Sequence, residues 1–351
     1  MEAEGILDKV KVIWMDDSQV LGLIPLIKAF YPHIIIPWRL HVDSSTPQPQ
    51  IAQFVARMVS GNLLPDDRIY QYIVERKMEQ EKHSRVEVQT ELVRLIQDGR
   101  LGADVAIFHR ERFAQGLQLP NRIPKFIMPP AINPVADKNI GLDENFIQPT
   151  FEKYGPRANP EIFTILMVAR FDPNKSPFEV IETFVRIYKW MKARGREVQL
   201  VIASNQAPDN PTGIRMLEAL RAYRDALPKE LQERIFILEL KDKTQEVVLN
   251  RWQKDGLLET FIKKQGLSLE EAERKLSEVL QEGVRMNALE INALQTGLSR
   301  PDGTKNVIVI HPPYKAGFEL VISEALWKKT GVVATSVGGI PLQVIHGKTG
   351  L

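Results

Sequence analysis

Cysteine is absent from the 351 residues, which excludes disulfide frameworks and thiolate metal sites. No run approaches the roughly 18 consecutive apolar residues that a membrane-spanning helix needs. The acidic start Met-Glu-Ala-Glu-Gly has no apolar core and does not read as a signal peptide. Neither sign of charge prevails: 46 Lys+Arg against 44 Asp+Glu give a net +2, which argues against a strongly basic nucleic-acid binder. Solenoid-length repeats and low-complexity tracts are missing, as is any His/Asp cluster with metal-ligand spacing, so neither a metal nor a cofactor is expected. What remains, at 44% hydrophobic and 26% charged residues, is a globular chain long enough for two domains, with a cytoplasmic setting as the default expectation.

The pattern alternates strands and helices. Lys9–Met15 is a short β-rich run ending in Asp16-Asp17, and Ser18 is a candidate N-cap for an apolar helix through Phe30, stopped by Tyr31-Pro32. His33–Pro37 is the next strand candidate, leading into Trp38-Arg39-Leu40-His41-Val42-Asp43 and a proline-containing loop over Ser44–Gln50. Gln53–Val59 and Tyr70–Gln97 read as helices, the second long, charged and expected to form a solvated outer layer. Asp104–Phe108 and Lys125–Met128 read as short buried strands. Residues 141–160 carry Gly, Pro and Asn punctuation without periodicity and read as an interdomain linker, which divides the chain into domains 1–150 and 151–351. Beyond it come strands at Ile162–Val168, Val198–Ala203, Arg234–Leu238, Val307–Ile310 and Gly331–Thr335, with helices to Ala193 and over Arg215–Ala226. Such alternation implies parallel sheets covered on both faces. A charged helical insertion is expected at about 246–285, with Ser268 and Glu271 forming a capping-box start.

Two stretches carry chemistry. Arg170-Phe171-Asp172-Pro173-Asn174-Lys175 follows an apolar strand. Ser176 as N-cap, Pro177 at the first helical position and Glu179 as capping-box partner agree on a helix start there. Two cations framing unpaired helix N–H groups make a phosphate clamp; the alternative is surface ion pairing of Arg170 and Lys175 with Asp172 and Glu179. The second stretch is Lys315–Gly350. Gly317-Phe318 opens a helix bearing Glu324, whose carboxylate is able to accept both hydroxyls of a ribose, although a solvated helix carboxylate is the commoner case. Gly338-Gly339 permits close backbone approach or forms a plain turn. His41 is open to two readings, a hydrogen-bonded loop histidine or a catalytic one, and His109 gives a weaker signal.

Together the Arg170/Lys175 pair, the Gly317–Glu324 segment and Gly338-Gly339-Ile340-Pro341 resemble family-4 retaining glycosyltransferases of the two-domain GT-B fold. Asp16-Asp17-Ser18-Gln19, Trp38–Asp43, Met128–Pro134 and Asn292–Gln295 narrow the likeness to the trehalose synthase and trehalose phosphorylase group. The resemblance implies an α/β chain of two Rossmann-like parallel-sheet domains, an acceptor-side one and a donor-binding one. It implies Arg170 and Lys175 at the phosphate leaving group, His41 beside the reacting glucose, and Asp17 lining the acceptor pocket. Gly317, Phe318, Leu320, Val321 and Glu324 would hold the donor. The partners implied are a nucleotide-sugar or sugar-phosphate donor and a sugar acceptor, with no nucleic acid and no membrane span. The reaction implied is retaining glucosyl transfer.

Three departures accompany the resemblance. Where the family carries a glutamate before Gly-Phe, this chain has Ala316, which accepts no hydrogen bond and stabilises no developing charge; loss of such a group typically costs on the order of 100- to 10,000-fold in rate, with Glu319 a nearby partial substitute. The family places strands and a glycine-rich loop before the Asp16-Asp17 region, and further helices after the position of Leu351. The expectation is therefore a trehalose synthase-like transferase that is either an internal portion of the fold or a reduced relative. The alternatives are trehalose phosphorylase chemistry, a catalytically impaired sugar-nucleotide-binding homologue, and a homo-oligomeric scaffold built on the helical insertion.

Overall fold

The computed structural model describes residues 6–41, 49–204, 211–240 and 287–351, together with Ser268 and Glu271. Those last two form the expected capping box: Glu271 Oε2 lies 2.9 Å from both the Ser268 amide and its hydroxyl, and Glu271 N donates back to Ser268 Oγ at 3.3 Å. The remainder of the expected 246–285 insertion, like Val42, Asp43 and most of the Ser44–Gln50 loop, lies outside the described residues. Among the described residues no helix is long and apolar enough to cross a membrane.

The chain forms two compact units, Met1–Pro130 and Ala131–Leu351. In the first, strands β1 (Met15–Asp16), β2 (Pro37–Leu40), β3 (Val105–Phe108) and β4 (Lys125–Ile127) make a parallel sheet in that order. The first two strands are shorter than the sequence suggests, although an isolated bridge between Val12 and Ile35 continues their pairing outward. All three residues of β4 are exposed, against the expectation of a buried strand; β4 sits at the edge of the sheet, beside β3. The helix expected from Ser18 runs Leu23–Phe30 instead, with Gly22 at its N-cap. Trp38, Phe108, Ile34 and Ile36 form the centre of the core, with Trp38 and Phe108 packed edge to face at 6.1 Å.

The single long helix expected over Tyr70–Gln97 is two helices, Arg68–Glu81 and Arg85–Gln97. Lys82 takes a left-handed conformation (φ 55°), and Ser84 and Glu87 form a reciprocal capping box that starts the second helix. The pair is no solvated layer either, since Tyr70, Ile73, Val74, Val88 and Leu92 are buried in the core. Charged residues hide this pattern in the sequence because they fill the outer face of both helices.

The second unit is a five-stranded parallel sheet of β5 (Phe163–Val168), β6 (Val198–Ser204), β7 (Ile235–Glu239), β8 (Val307–His311) and β9 (Gly331–Ala334), in the order β7-β6-β5-β8-β9. Successive side chains on a strand point to opposite faces, and two cores record this. Ile165 and Met167 pack with Phe184 and Leu220 from helices Pro177–Lys192 and Pro211–Asp225. Leu166 packs with Phe151, Leu294 and Ile322 on the other face. Cover on both faces explains why these strands read as unbroken apolar runs. Phe151 belongs to an α-helix, Glu144–Tyr154, placed where the sequence reading expects a structureless linker. Asp143 caps it by accepting from the Asn145 amide at 2.8 Å, and Ile147, Thr150 and Phe151 are buried. The single apolar stripe was masked by Pro149 and the flanking charges, and the helix lies within the second unit rather than at a 150/151 boundary.

Candidate functional site

In an open parallel sheet, ligands bind beyond the carboxyl ends of the strands where the chain reverses its direction of winding. In the second unit that point lies between β5 and β8, because the chain winds outward from β5 to β6 and β7 and then returns to β8 on the other side. Arg170 and Lys175 follow β5, and His311 and Glu319 end or follow β8. The expected cations therefore stand at the switch point.

Their local geometry departs from the expected helix cap. Ser176 occupies the N-cap position in a left-handed conformation (φ 59°) and makes no side-chain cap. Glu179 completes no capping box; it accepts the Tyr314 hydroxyl at 2.5 Å, while the Tyr314 amide donates to Asn174 O at 2.9 Å. The loop after β8 is thereby pinned to the turn after β5. The surface ion pairs considered as an alternative do not form either. Asp172 accepts from the Asn174 amide, and Arg170 is exposed and makes no ion pair with a described residue. Lys175 is largely shielded from solvent and donates to Glu319 Oε1 at 2.6 Å, while His311 Nε2 lies 2.9 Å from Glu319 Oε2.

Glu319 is the residue the sequence reading undervalued. It stands at the N-cap of helix Leu320–Trp327 with φ 67°, gives that helix no side-chain cap, and pays a backbone strain of roughly 1–2 kcal/mol for a side chain in the left-handed region. Burial pushes its carboxyl upward, but the His311 hydrogen bond and the Lys175 charge prevail and lower it to about 2. His311, buried and ahead of Pro312-Pro313, carries in the sequence only the signal of a histidine closing a β-branched run.

Ala316 is buried in the core. The two glycine turns close on each other here: Gly339 N donates to Gly317 O at 2.6 Å, and a Cβ at Gly338 (φ 55°) would stand 2.1 Å from the Ala316 carbonyl oxygen. Close approach, rather than a plain turn, is what these glycines permit. Phe318 is buried, Gly317 and Val321 are half-buried, and Leu320 is exposed.

Glu324 is buried, and among the described residues no hydrogen bond reaches its carboxylate. It forms one wall of a pocket of about 400 Å³, with Leu320, Ala288 and the segment 131–139 as the others. That segment is held in place by Asn292, whose side-chain amide donates to Asp137 O (2.9 Å) and Ile140 O (2.8 Å), and by Trp327 Nε1, which donates to Asn139 O at 3.0 Å. Lys328, one turn beyond Glu324, donates to Asn139 Oδ1 at 3.2 Å; burial lowers its ammonium to about 8 against the pull of Glu324. A larger cavity of about 830 Å³ opens against Phe163, Ile165, Ile308 and Ile310, away from these groups, and is lined as well by Glu161, Arg196, Glu197, Arg300 and Asp302.

The first unit gathers its own residues beyond β1, β2 and β3. Arg39 Nε donates to Asp16 Oδ1 at 2.9 Å, Trp14 Nε1 donates to the same oxygen at 3.1 Å, and His41 Nε2 lies 3.1 Å from it. Although partial burial opposes this, the hydrogen bonds from Arg39, His41 and Trp14 hold the Asp16 carboxyl below its ordinary value. Asp17, at φ 61°, accepts the His41 amide at 2.8 Å through its carboxylate and Trp38 Nε1 at 2.9 Å through its carbonyl. His41 and His109 meet edge to face at 4.9 Å. Burial, then the charges of His41 and Arg39, lower the His109 imidazole to about 4. Asp16, Arg39 and Trp14 were not singled out for this role in the sequence reading.

One cluster among the described residues does have metal-like spacing, contrary to the sequence reading: Glu81, His83 and Glu91, with ligand atoms within 4.8 Å. The Lys77 ammonium already stands 3.0 Å from each carboxylate, so the cluster is an ion-pair knot joining two helices.

No protein-family model matches the chain. Curated proteins do. The chain is 27% identical over 354 residues to a trehalose synthase of Thermococcus litoralis, a match covering 99% of this chain and 59% of that protein. It is 24% identical over 361 residues to a trehalose phosphorylase of Pleurotus pulmonarius, covering 97% and 37%. Among solved structures, a UDP-forming α,α-trehalose-phosphate synthase from Burkholderia xenovorans aligns with a TM-score of 0.51 at 14% identity, covering 97% of this chain and 62% of that one. The resemblance to trehalose synthases and phosphorylases is borne out, as is the GT-B class with its two parallel-sheet α/β domains. The chain spans 59% of the length of the trehalose synthase.

Proposed function

We propose that this chain serves retaining glucosyl transfer from a nucleotide-glucose to a sugar acceptor, in the manner of a trehalose synthase. The observation that carries the reading is the β5/β8 switch point, which combines two cations with Glu324 on the adjoining helix, a buried residue whose carboxylate accepts no hydrogen bond among the described residues. A nucleotide-sugar needs these elements: positive charge for the phosphates and a bidentate acceptor for the ribose hydroxyls. The likeness to trehalose synthase over nearly the whole chain supplies the sugar, and the UDP-forming structural neighbour supports a nucleotide as leaving group.

In this reading Glu324 accepts the ribose hydroxyls, and the backbone from Gly317 to Val321 approaches the sugar and phosphates. Arg170 and Lys175 stabilise the phosphate as glucose C1 leaves its oxygen and bonds the acceptor oxygen, the acceptor proton passing to the phosphate. Positioning and charge suffice for such chemistry. In the first unit His41 is the candidate partner of the transferred glucose and Asp17 that of the acceptor, with Asp16 fixing the His41 ring. Ala316 offers the sugar no carboxylate, so turnover is expected to be slow while donor binding persists.

Calorimetric titration with UDP-glucose tests the assignment. Charge-assisted hydrogen bonds contribute about 1.5–3 kcal/mol each, so Glu324→Ala is expected to weaken binding about 100-fold. Equal affinity in wild type and Glu324→Ala refutes the ribose role. Release of trehalose from UDP-glucose and glucose supports the synthase direction, whereas consumption of trehalose only with inorganic phosphate moves the activity to the phosphorylase one.

A further inference from the structure

The assigned clamp has an occupant supplied by the chain itself. Lys175 does not reach into solvent as a receptor for phosphate; its ammonium is bonded to Glu319 Oε1 at 2.6 Å, and Glu319 Oε2 is bonded to His311 Nε2 at 2.9 Å. Both partners stand at the carboxyl ends of β5 and β8, the two strands that flank the switch point. Helix stability does not account for Glu319 being there. It provides no side-chain cap, and it holds a conformation (φ 67°) that glycine would take without strain. The His311 ring nitrogen on the other side, Nδ1, is buried and has no hydrogen-bond partner among the described residues, so Glu319 alone anchors the ring. Arg170, the other cation, is exposed and without an ionic partner among the described residues.

We propose that Glu319 is an internal competitor for the phosphate seat: its carboxylate takes the place framed by Lys175 and His311, and a diphosphate enters only by displacing it. This rests on the donor-site reading in locating the phosphate at Lys175, and it goes beyond that reading by giving the clamp a built-in threshold. A mono-anion with weak affinity leaves the pair intact. A diphosphate, with more charge and more acceptor oxygens, replaces both bonds of the carboxylate at once. Glu319 thus tunes how tightly the edge holds phosphate and selects for the more highly charged ligand.

Two probes separate this inference from the donor-site reading. Inorganic pyrophosphate reports on the seat without a ribose, and UDP reports on the seat together with Glu324. Glu319→Gln keeps size and hydrogen bonding but removes the charge, and Glu319→Asn, a residue that tolerates the left-handed region, serves as an independent second variant; thermal melts establish that each is folded. Pyrophosphate binding at least tenfold tighter in either folded variant, with the gain abolished by adding Lys175→Met, is the expected result. Unchanged or weaker pyrophosphate binding overturns the proposal, and a gain that survives Lys175→Met overturns it as well. Loss of the Glu324 dependence for UDP, with the pyrophosphate gain intact, instead strikes the ribose assignment.

Discussion

The two sheet edges present the same kinds of side chain, a carboxylate, a histidine and a cation, under different degrees of burial. In the first unit Asp16, Arg39 and His41 stay partly exposed, with side-chain accessibilities of 43%, 24% and 32%, and the buried member is the histidine behind them, His109. In the second unit the triad is more shielded, with His311 buried at 1% and Lys175 and Glu319 partly buried at 13% and 14%. In the proposed reading the first edge meets the sugars, whose hydroxyls exchange with water at little electrostatic cost. The second stores unscreened charge, which is what recognition of a phosphate requires and what makes an internal counter-charge necessary. The comparison teaches that the same residue types meet different electrostatic surroundings according to how far water is excluded.

The comparison can be broken most sharply at Gly338. A Cβ there meets the Ala316 carbonyl and the backbone is left-handed, so Gly338→Ala is expected to cost about 3 kcal/mol or more. Hydrogen exchange should show the loss confined to the second unit, and protection lost equally in both units would contradict this assignment. Acid sharpens the contrast next. The His109 imidazole, lowered to about 4 when folded, binds its proton more readily in the unfolded chain, so its neutral burial favours folding above pH about 6.5 and that contribution declines as pH falls toward 4. On the order of 3 kcal/mol at most is involved. Glu319, lowered to about 2, keeps its contribution above the usual carboxylate range and loses it only as pH falls through about 4.5 toward 2. Denaturant midpoints followed from pH 7 to 3 should therefore fall first in the first unit, and His109→Phe should flatten that early limb; a limb unchanged by this substitution counts against the His109 assignment. The smallest effect belongs to the capping box in the first unit, where Ser84→Ala should cost about 1 kcal/mol and lower the thermal midpoint without altering UDP binding.

Much of the architecture was legible because burial on both faces leaves an unmistakable trace. The apolar runs at β5, β6 and β8 were placed within a residue or two of their observed bounds, and Gly338-Gly339 was identified with its close approach as one of two readings. Where both apolar and charged residues served one element, the pattern failed. The helix Glu144–Tyr154 looks like linker in the sequence since only one narrow stripe of it is apolar, and the helices on either side of Lys82 look like one because their shared charge outweighs the Ser84–Glu87 signal.

The site divides along the same line. By itself the sequence determined the alternation of strands and helices, the glycine turns, and the positions of Arg170, Lys175 and Glu324, since these follow from local spacing and chain continuity. Only the tertiary structure decided that Lys175 answers to Glu319 rather than to Asp172 or Glu179. It alone put His311 into that contact and left Glu324 buried yet unbonded among the described residues. The reason is physical: which charges pair depends on the strand order β5-β8, and residues 144 positions apart become neighbours only when the sheet returns on itself.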